Sequence, residues 1–338
     1  MDKKIVSILL SLVCLTGLTG CGEDNSLEEL GISVISPKGA PAIGLARYQK
    51  DYSEKITVTA PANVIAAFSG NDSDVIIFDT AKGTAFISKQ NKDYKLAKVL
   101  TSGNAYVVST GHDADSAFDA DDKAVSFGSG SFFTKIFSLT SGLNPDNISE
   151  VSDVSQALTV AVTGKNNGED VDYVILSEPF VTKALAQKPT LTVKENLNDA
   201  WESYSKAQGY NSGNGYDTFP MAGIFISASA EADATKKDAI ESFLKEMDYV
   251  SKDLKESEGK DILSVIKADS DNSVYDLAGT YGMDYTTLAG VLSSSTNGSG
   301  SVNPLGFIAD ENFDYKTFAS EALSTTLGDS VFSAYYGK

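Results

Sequence analysis

The sequence predicts an α/β protein of two lobes, each a mostly parallel sheet flanked by helices, with two strands forming a hinge between them. Strand and helix signals alternate along most of the chain, the pattern of sheets covered by helices. Two short runs, Asp74-Val-Ile-Ile-Phe78 and Asp172-Tyr-Val-Ile-Leu176, are continuously apolar after their first residue, as strands buried on both faces must be. Two loose polar stretches, His112–Lys123 and Gly209–Thr218, divide the alternation. Two crossings near each other make a hinge, and ligands of such sheets lie outside the carboxyl ends of the strands. Two such edges facing each other make a cleft.

The chain begins with a segment that stands apart from the fold. Lys3 and Lys4 precede an apolar run from Ile5 to Leu18. At about fourteen residues this is short for a membrane span and suits the hydrophobic region of a signal peptide. It ends in Leu18-Thr19-Gly20-Cys21. That tetrapeptide resembles the lipobox of bacterial lipoproteins, which implies cleavage before Cys21 and lipidation of its thiol. An ordinary secretory signal that contains a Cys is the alternative. The expected layout is therefore a signal peptide over residues 1–20 and a lipid-anchored tether over 21–30. Lobe 1 follows over 31–112, a hinge linker over 113–122 and lobe 2 over 123–218. Residues 219–338 return to lobe 1 and end in helices.

Lobe 1 reads as strand Ile32–Ser36, helix Pro41–Lys50, strand Lys55–Ala60, helix Ala60–Ser69, strand Asp74–Phe78 and helix Thr80–Gln90. Two more strands lie within Lys95–Ser109, around Gly103-Asn104. The second lobe repeats the alternation. Its strands are Lys123–Gly128, Asn147–Val151, Asp172–Ser177 and Leu191–Val193; its helices are Ser131–Ser141, Val154–Thr163, Glu178–Ala186 and Asn198–Gln208. Strand Pro220–Ser227 follows. Helix Thr235–Ser251 carries Ile240, Phe243, Leu244, Met247 and Val250 on one face. The rest is mostly helical, with a flexible loop at Ser293–Ser301.

Composition excludes several functions. The formal charge is −19, and losing Asp2, Lys3 and Lys4 with the signal takes it to −20. Such a chain lacks the basic face that nucleic acid requires. Of the two cysteines, Cys14 goes with the signal and Cys21 is the acylation site, so no disulfide framework and no thiolate metal site is expected. The one histidine, His112, lies in a polar linker. No Gly-x-Ser-x-Gly, P-loop or dinucleotide fingerprint occurs. Ser264-Val-Ile-Lys267 and Ser270-Asp-Asn272 match β-lactamase motifs, but they nearly touch and no Lys-Thr-Gly follows, so the match reads as chance. The run Asp113, Asp115, Asp119, Asp121, Asp122 fails as a calcium loop because Phe118 and Ala124 stand where Gly and Glu are needed. No catalytic residue, metal or cofactor is expected.

Five small polar turns remain, each at the end of a strand: Gly39–Ala42, Asp79-Thr80 with Lys82 and Gly83, Gly103-Asn104 with Tyr106, Gly128–Ser131, and Ser177-Glu178-Pro179. Such turns offer backbone N–H groups at helix N-termini to an anion or strong acceptor. They also serve as ordinary caps. Tyr48, Tyr106, Phe132, Phe133, Phe180 and Tyr216 lie near them and can stack on a flat ring, or be core.

The order of these segments, from the lipobox and "SPKGAPA" through "DVIIFDTAKGTAFI", "KAVSFGSGSFFTKIF" and "DYVILSEPFVTKAL" to a late "NPLGF", resembles the substrate-binding lipoproteins of ABC transporters. The branch is that of sulfonate, nitrate and thiamine-pyrimidine-precursor binders, and the resemblance covers nearly all of the mature chain. It implies the type 2 periplasmic binding protein fold and ligand capture by lobe closure. The cysteine-rich motif of the fungal thiamine-precursor relatives is missing, so their enzymatic activity is not implied. The family's cleft turns fall on Gly39, Ala40, Pro41, Asp79, Thr80, Asn104, Gly128, Ser129, Ser131 and Glu178, to which the residue reading adds Tyr106. Implied partners are a small-molecule ligand, an ABC permease with its ATPase, and the membrane through Cys21, the protein being monomeric on the extracellular face of a Gram-positive cell or the periplasmic side of a Gram-negative one. Asp79 and Glu178, with Arg47 lying past the first turn of its helix, tilt the expected ligand toward a neutral or cationic heteroaromatic. A surface sensor or adhesin with a protein partner is the alternative.

Overall fold

The computed structural model describes residues 27–90, 92–111, 116–128, 131–210, 217–256, 259–271, 280–282, 284–293, 305–308 and 313–337. The expected signal peptide, Cys21, His112 and Ser129 lie outside the described residues. Leu30, expected in the tether, is buried in the core of lobe 1.

In chain order, β1 (Val34–Pro37) is followed by the short helices α1 (Ala40–Ile43) and α2 (Ala46–Asp51). Then come β2 (Ile56–Thr59), α3 (Pro61–Gly70), β3 (Val75–Asp79), α4 (Thr80–Gln90) and β4 (Tyr94–Val99). The chain crosses to β5 (Tyr106–Ser109), β6 (Ala124–Phe127), α5 (Phe132–Ser141), β7 (Ile148–Val151) and α6 (Val154–Thr163). A hairpin, β8 (Lys165–Asn166) with β9 (Glu169–Asp170), leads to β10 (Tyr173–Leu176), α7 (Phe180–Gln187), β11 (Thr192–Asn196) and α8 (Leu197–Ala207). The return strand is β12 (Ala222–Ser227). It is followed by α9 (Ala228–Ala232), α10 (Lys237–Glu256), α11 (Lys260–Asp271), α12 (Tyr285–Ser293) and α13 (Tyr315–Glu321).

The two five-stranded sheets have the orders β2-β1-β3-β12-β4 and β11-β5-β10-β6-β7. In each, one strand runs against the other four: β12 is antiparallel to both β3 and β4, and β5 to both β10 and β11. The reason is topological. A strand that enters a lobe from the hinge starts at the cleft edge and must run away from it, so Tyr106 at the start of β5 faces Leu176 at the end of β10, and Ala222 at the start of β12 faces Asp79 at the end of β3.

Strand alternation builds three cores. In β3, Val75 and Ile77 face one cluster while Ile76 and Phe78 face another. In β10, Tyr173 and Ile175 join the cluster of Ile76, and Val174 and Leu176 form the other face of lobe 2. Each such Ile or Val is worth about 1.5–3 kcal/mol of burial. The shared cluster runs from lobe to lobe under α13. Phe318 of that helix lies 5.4 Å from the ring of Phe132 and 5.9 Å from Trp201, both in lobe 2. Tyr315 bonds Thr84 of lobe 1 at 3.1 Å. The C-terminal region thus straddles both lobes instead of belonging to lobe 1 alone.

The hinge lies elsewhere than expected. β5 is paired into the second sheet, so the first crossing is residues 100–105, not 113–122. The described part of 113–122 belongs to a lobe 2 loop, where Phe118 packs edge-on against Phe137 and Tyr173 at 5.4 and 5.0 Å. The first crossing pairs with the return, Met221 N donating to Thr101 O at 2.8 Å and Gly103 N to Phe219 O at 2.9 Å. A third segment joins these two strands: Ser102 N donates to Gly306 O at 2.7 Å, and Ile308 N to Leu100 O at 3.0 Å. Only glycine fits there, because a Cβ on Gly306 would stand 2.1 Å from Ser102 O.

Candidate functional site

The carboxyl ends of β1, β3, β6, β7 and β10 converge on one cleft between the lobes, about 160 Å³ in volume. The first wall is the turn after β1. Gly39 has φ +99, a conformation other residues rarely adopt, and its carbonyl accepts Ala42 N at 3.0 Å. Behind it, Ala42, Ile43 and Ala46 are fully buried and fix the turn. Phe180 of lobe 2 stands opposite: its ring edge would lie 3.9 Å from a Cβ on Gly39.

At the end of β3, Asp79 precedes α4 and caps it, Oδ1 accepting Lys82 N at 2.8 Å. Burial pushes its carboxyl above the usual range, and the Lys82 charge and the N–H groups of Lys82 and Ala81 pull it back. Lys82 reaches across the cleft, where a Cβ on Gly128 would stand 3.2 Å from its Nζ. In lobe 2, Ser131 Oγ donates to Phe127 O at 3.0 Å and closes the turn after β6. After β7, Asp153 caps α6, its Oδ1 accepting Ser155 N at 2.9 Å and Gln156 N at 3.0 Å. Phe78, Phe127, Phe133, Phe180 and Met221 supply the apolar walls.

Seven of the expected residues line this cleft: Gly39, Ala40, Pro41, Asp79, Asn104, Gly128 and Ser131. Three do not. Thr80 is buried under β12, its hydroxyl donating to Met221 O at 3.1 Å. Tyr106 is part of the outer core of lobe 2. Glu178 turns back on its own helix, Oε2 accepting Thr182 N at 3.1 Å and Oε1 accepting Thr182 Oγ1 at 3.0 Å. Burial pushes the Glu178 carboxyl up to about 6 against the pull of those Thr182 bonds. Asn104 lines the cleft but its amide ties the hinge: Nδ2 donates to Glu178 O and Leu305 O, both at 3.1 Å, and Oδ1 accepts Glu178 N at 2.7 Å.

Of the aromatic candidates, Phe133 and Phe180 reach the cleft, whereas Tyr48 stacks on Phe243 at 5.8 Å and Phe132 packs on Trp201; Tyr216 is outside the described residues. Lys38 and Lys82 also line the cleft; neither stands out in the sequence as a site residue, because lysines are common on any surface. Arg47 pairs with Glu246 at 3.0 Å and stacks over Tyr249, away from the cleft. Among the described residues there is no group of three or more His, Cys, Asp or Glu placed to hold a metal.

Solved structures resemble this arrangement. The ligand-binding component of an ABC-type import system from Staphylococcus aureus, with zinc bound, aligns at a TM-score of 0.60 and 10% identity, covering 90% of this chain and 98% of that one. The chain has the periplasmic binding protein fold. An ABC transporter protein from Parabacteroides distasonis (TM-score 0.51, 15% identity, 77% of this chain and 84% of that chain) is also similar. So is the alkanesulfonate-binding protein of Xanthomonas axonopodis pv. citri bound to MOPS (0.51, 15%, 77% and 82%). No protein-family model and no curated protein matches the chain. Among the described residues no helix is long and apolar enough to cross a membrane.

Proposed function

We propose that this protein is a lipid-anchored solute-binding protein that captures a small molecule, such as a heteroaromatic, in its interlobe cleft and passes it to an ABC importer. The observation that carries the reading is the cleft itself: strand ends of both lobes meet there, with aromatic walls and a few charged groups, the usual composition of a small-molecule site. Similar structures come from ABC import systems, which supports a permease and its ATPase as partners. Affinity arises from closure, the ligand favouring the closed state by its contacts to both lobes. The protein acts as a monomer without a cofactor and catalyses no reaction. Cys21 holds it to the outer face of the membrane.

Thermal-shift screening of the purified protein against vitamins, nucleobases, sulfonates and amino acids tests this. Stabilisation by one class is expected, about 2.7 kcal/mol at a ligand concentration one hundred times Kd. No response to any metabolite pool would contradict the reading. For the anchor, Cys21→Ser should abolish labelling by a palmitate analogue and release the protein from cells.

A further inference from the structure

Asp79, which caps α4, and Lys82, on the first turn of that helix, carry opposite charges three positions apart. No ion pair within 4.0 Å joins them. The Lys82 ammonium extends toward Gly128 of lobe 2 and has no hydrogen-bond partner among the described residues. Asp79 accepts only backbone N–H groups, while a carboxylate has room for about four hydrogen bonds. Several other partly buried acids in lobe 1 are paired: Asp74 with Lys236 at 2.7 Å, Glu231 with Lys95 at 2.7 Å and Glu246 with Arg47 at 3.0 Å. Asp253, outside the cleft lining, instead accepts the backbone N–H groups of Asp261 and Ile262. In lobe 2, Asp153 and Glu178 are engaged by their own helices. Among the described residues, four charged ones line the cleft: Lys38, Asp79, Lys82 and Asp153. Lys38 is exposed, and Asp153 has both oxygens engaged by Ser152, Ser155 and Gln156. That leaves Asp79 and Lys82, at the start of α4, as the acid and base available to a ligand.

We propose that the ligand is a compact zwitterion, its protonated nitrogen received by Asp79 and its carboxylate or sulfonate received by Lys82 beside Gly128. The inference depends on the cleft being the ligand site. An anion alone would leave Asp79 uncompensated in a closed, poorly hydrated cleft, and a cation alone would leave Lys82 so; a molecule with both satisfies both. The volume of about 160 Å³ limits the body to one ring or a short chain, since a cavity of about 150 Å³ holds benzene. The phenylalanine walls suit either.

Calorimetry on the purified protein with 4-(aminomethyl)benzoate, taurine and β-alanine tests this, each beside its analogue lacking the nitrogen and its analogue lacking the acid. At least one zwitterion should bind tenfold or more tighter than both truncated forms. Lys82→Gln should erase the preference for the acid, Lys82→Arg should keep it, and Asp79→Asn should erase the preference for the nitrogen. Asn at position 79 still accepts Lys82 N, so the cap is retained; should that variant fail to fold, the Lys82 pair and the truncated analogues decide. A nitrogen-free acid or an acid-free amine that binds as tightly overturns the proposal, as does retention of the wild-type preference in Lys82→Gln. The protein is also incubated with a bacterial metabolite extract and the retained molecule identified by mass. A retained molecule lacking one charge leaves the solute-binding function standing and overturns the zwitterion. No retained molecule and no binding in the series overturns both.

Discussion

The two lobes meet the cleft with the same architecture and different chemistry. Each presents strand ends that turn into helices, and each places carboxylates at those turns. In lobe 2 the carboxylates serve the fold: Asp153 caps α6, and Glu178 binds Thr182 within α7. In lobe 1, Asp79 also caps its helix, accepting Lys82 N and Ala81 N, but it has Lys82 beside it in the cleft, where Asp153 has no base among the described residues. Lobe 2 contributes the rings of Phe127, Phe133 and Phe180 and the small residues Gly128 and Ser131. On the zwitterion proposal, lobe 1 selects by charge, while lobe 2 offers a surface for it to close on.

The bridge between the lobes should be the most sensitive point. Asn104→Ala leaves Glu178 N, Glu178 O and Leu305 O without their partner, a loss of about 3 kcal/mol or more, read by denaturant unfolding. An unchanged midpoint would mean that the lobes do not depend on this tie. Next in size is the contrast between equivalent acids. Asp79→Ala should weaken ligand binding by about tenfold to a hundredfold, the worth of a charged hydrogen bond. Asp153→Ala should cost about 1 kcal/mol of stability as a lost cap, with affinity of the folded protein unchanged. Reversal of those two results would erase the distinction between the lobes.

Glu178 gives a pH test of comparable size. Its folded pKa of about 6 lies above the ordinary 4.5, so the native state holds the proton more tightly. Its contribution to stability is therefore fully present below about pH 4.5 and falls away as pH rises to about 6. The difference is about 2 kcal/mol. Glu178→Gln should flatten this part of the stability–pH curve relative to the wild type. A parallel curve would place the Glu178 carboxyl in water. A further test lies at Gly39. Its replacement by Val strains a backbone conformation, φ +99 and ψ −152, that is essentially confined to glycine, at about 1–3 kcal/mol, and the new side chain also meets Phe180 across the cleft. Stability and affinity should both fall; a loss of stability alone would make the turn a matter of backbone geometry.

The layers were legible because doubly buried strands such as β3 and β10 leave continuous apolar runs. The hinge was not. Gly103-Asn104 looks like a hairpin between strands of one sheet, and only pairing reveals that β4 and β5 belong to different sheets. The charged stretch 113–122 looks like a linker because exposed loops and linkers share a composition, whereas the real crossing is short, paired and largely buried. The turns of the cleft were legible as turns. Whether Glu178 or Asp79 faces a ligand depends on which hydrogen bonds its oxygens already make, and spacing does not carry that. Lys82 escaped for a related reason: a lysine at the third position of a helix is common on any surface, and only Gly128 opposite gives it a role.

The central claim is that the interlobe cleft binds a small molecule through the charges of lobe 1. Native mass spectrometry of gently purified protein, wild type beside the Asp79→Asn/Lys82→Gln double variant, tests it most directly. The account predicts a bound small molecule in the wild type that is absent from the double variant. The same molecule retained by both proteins would contradict it.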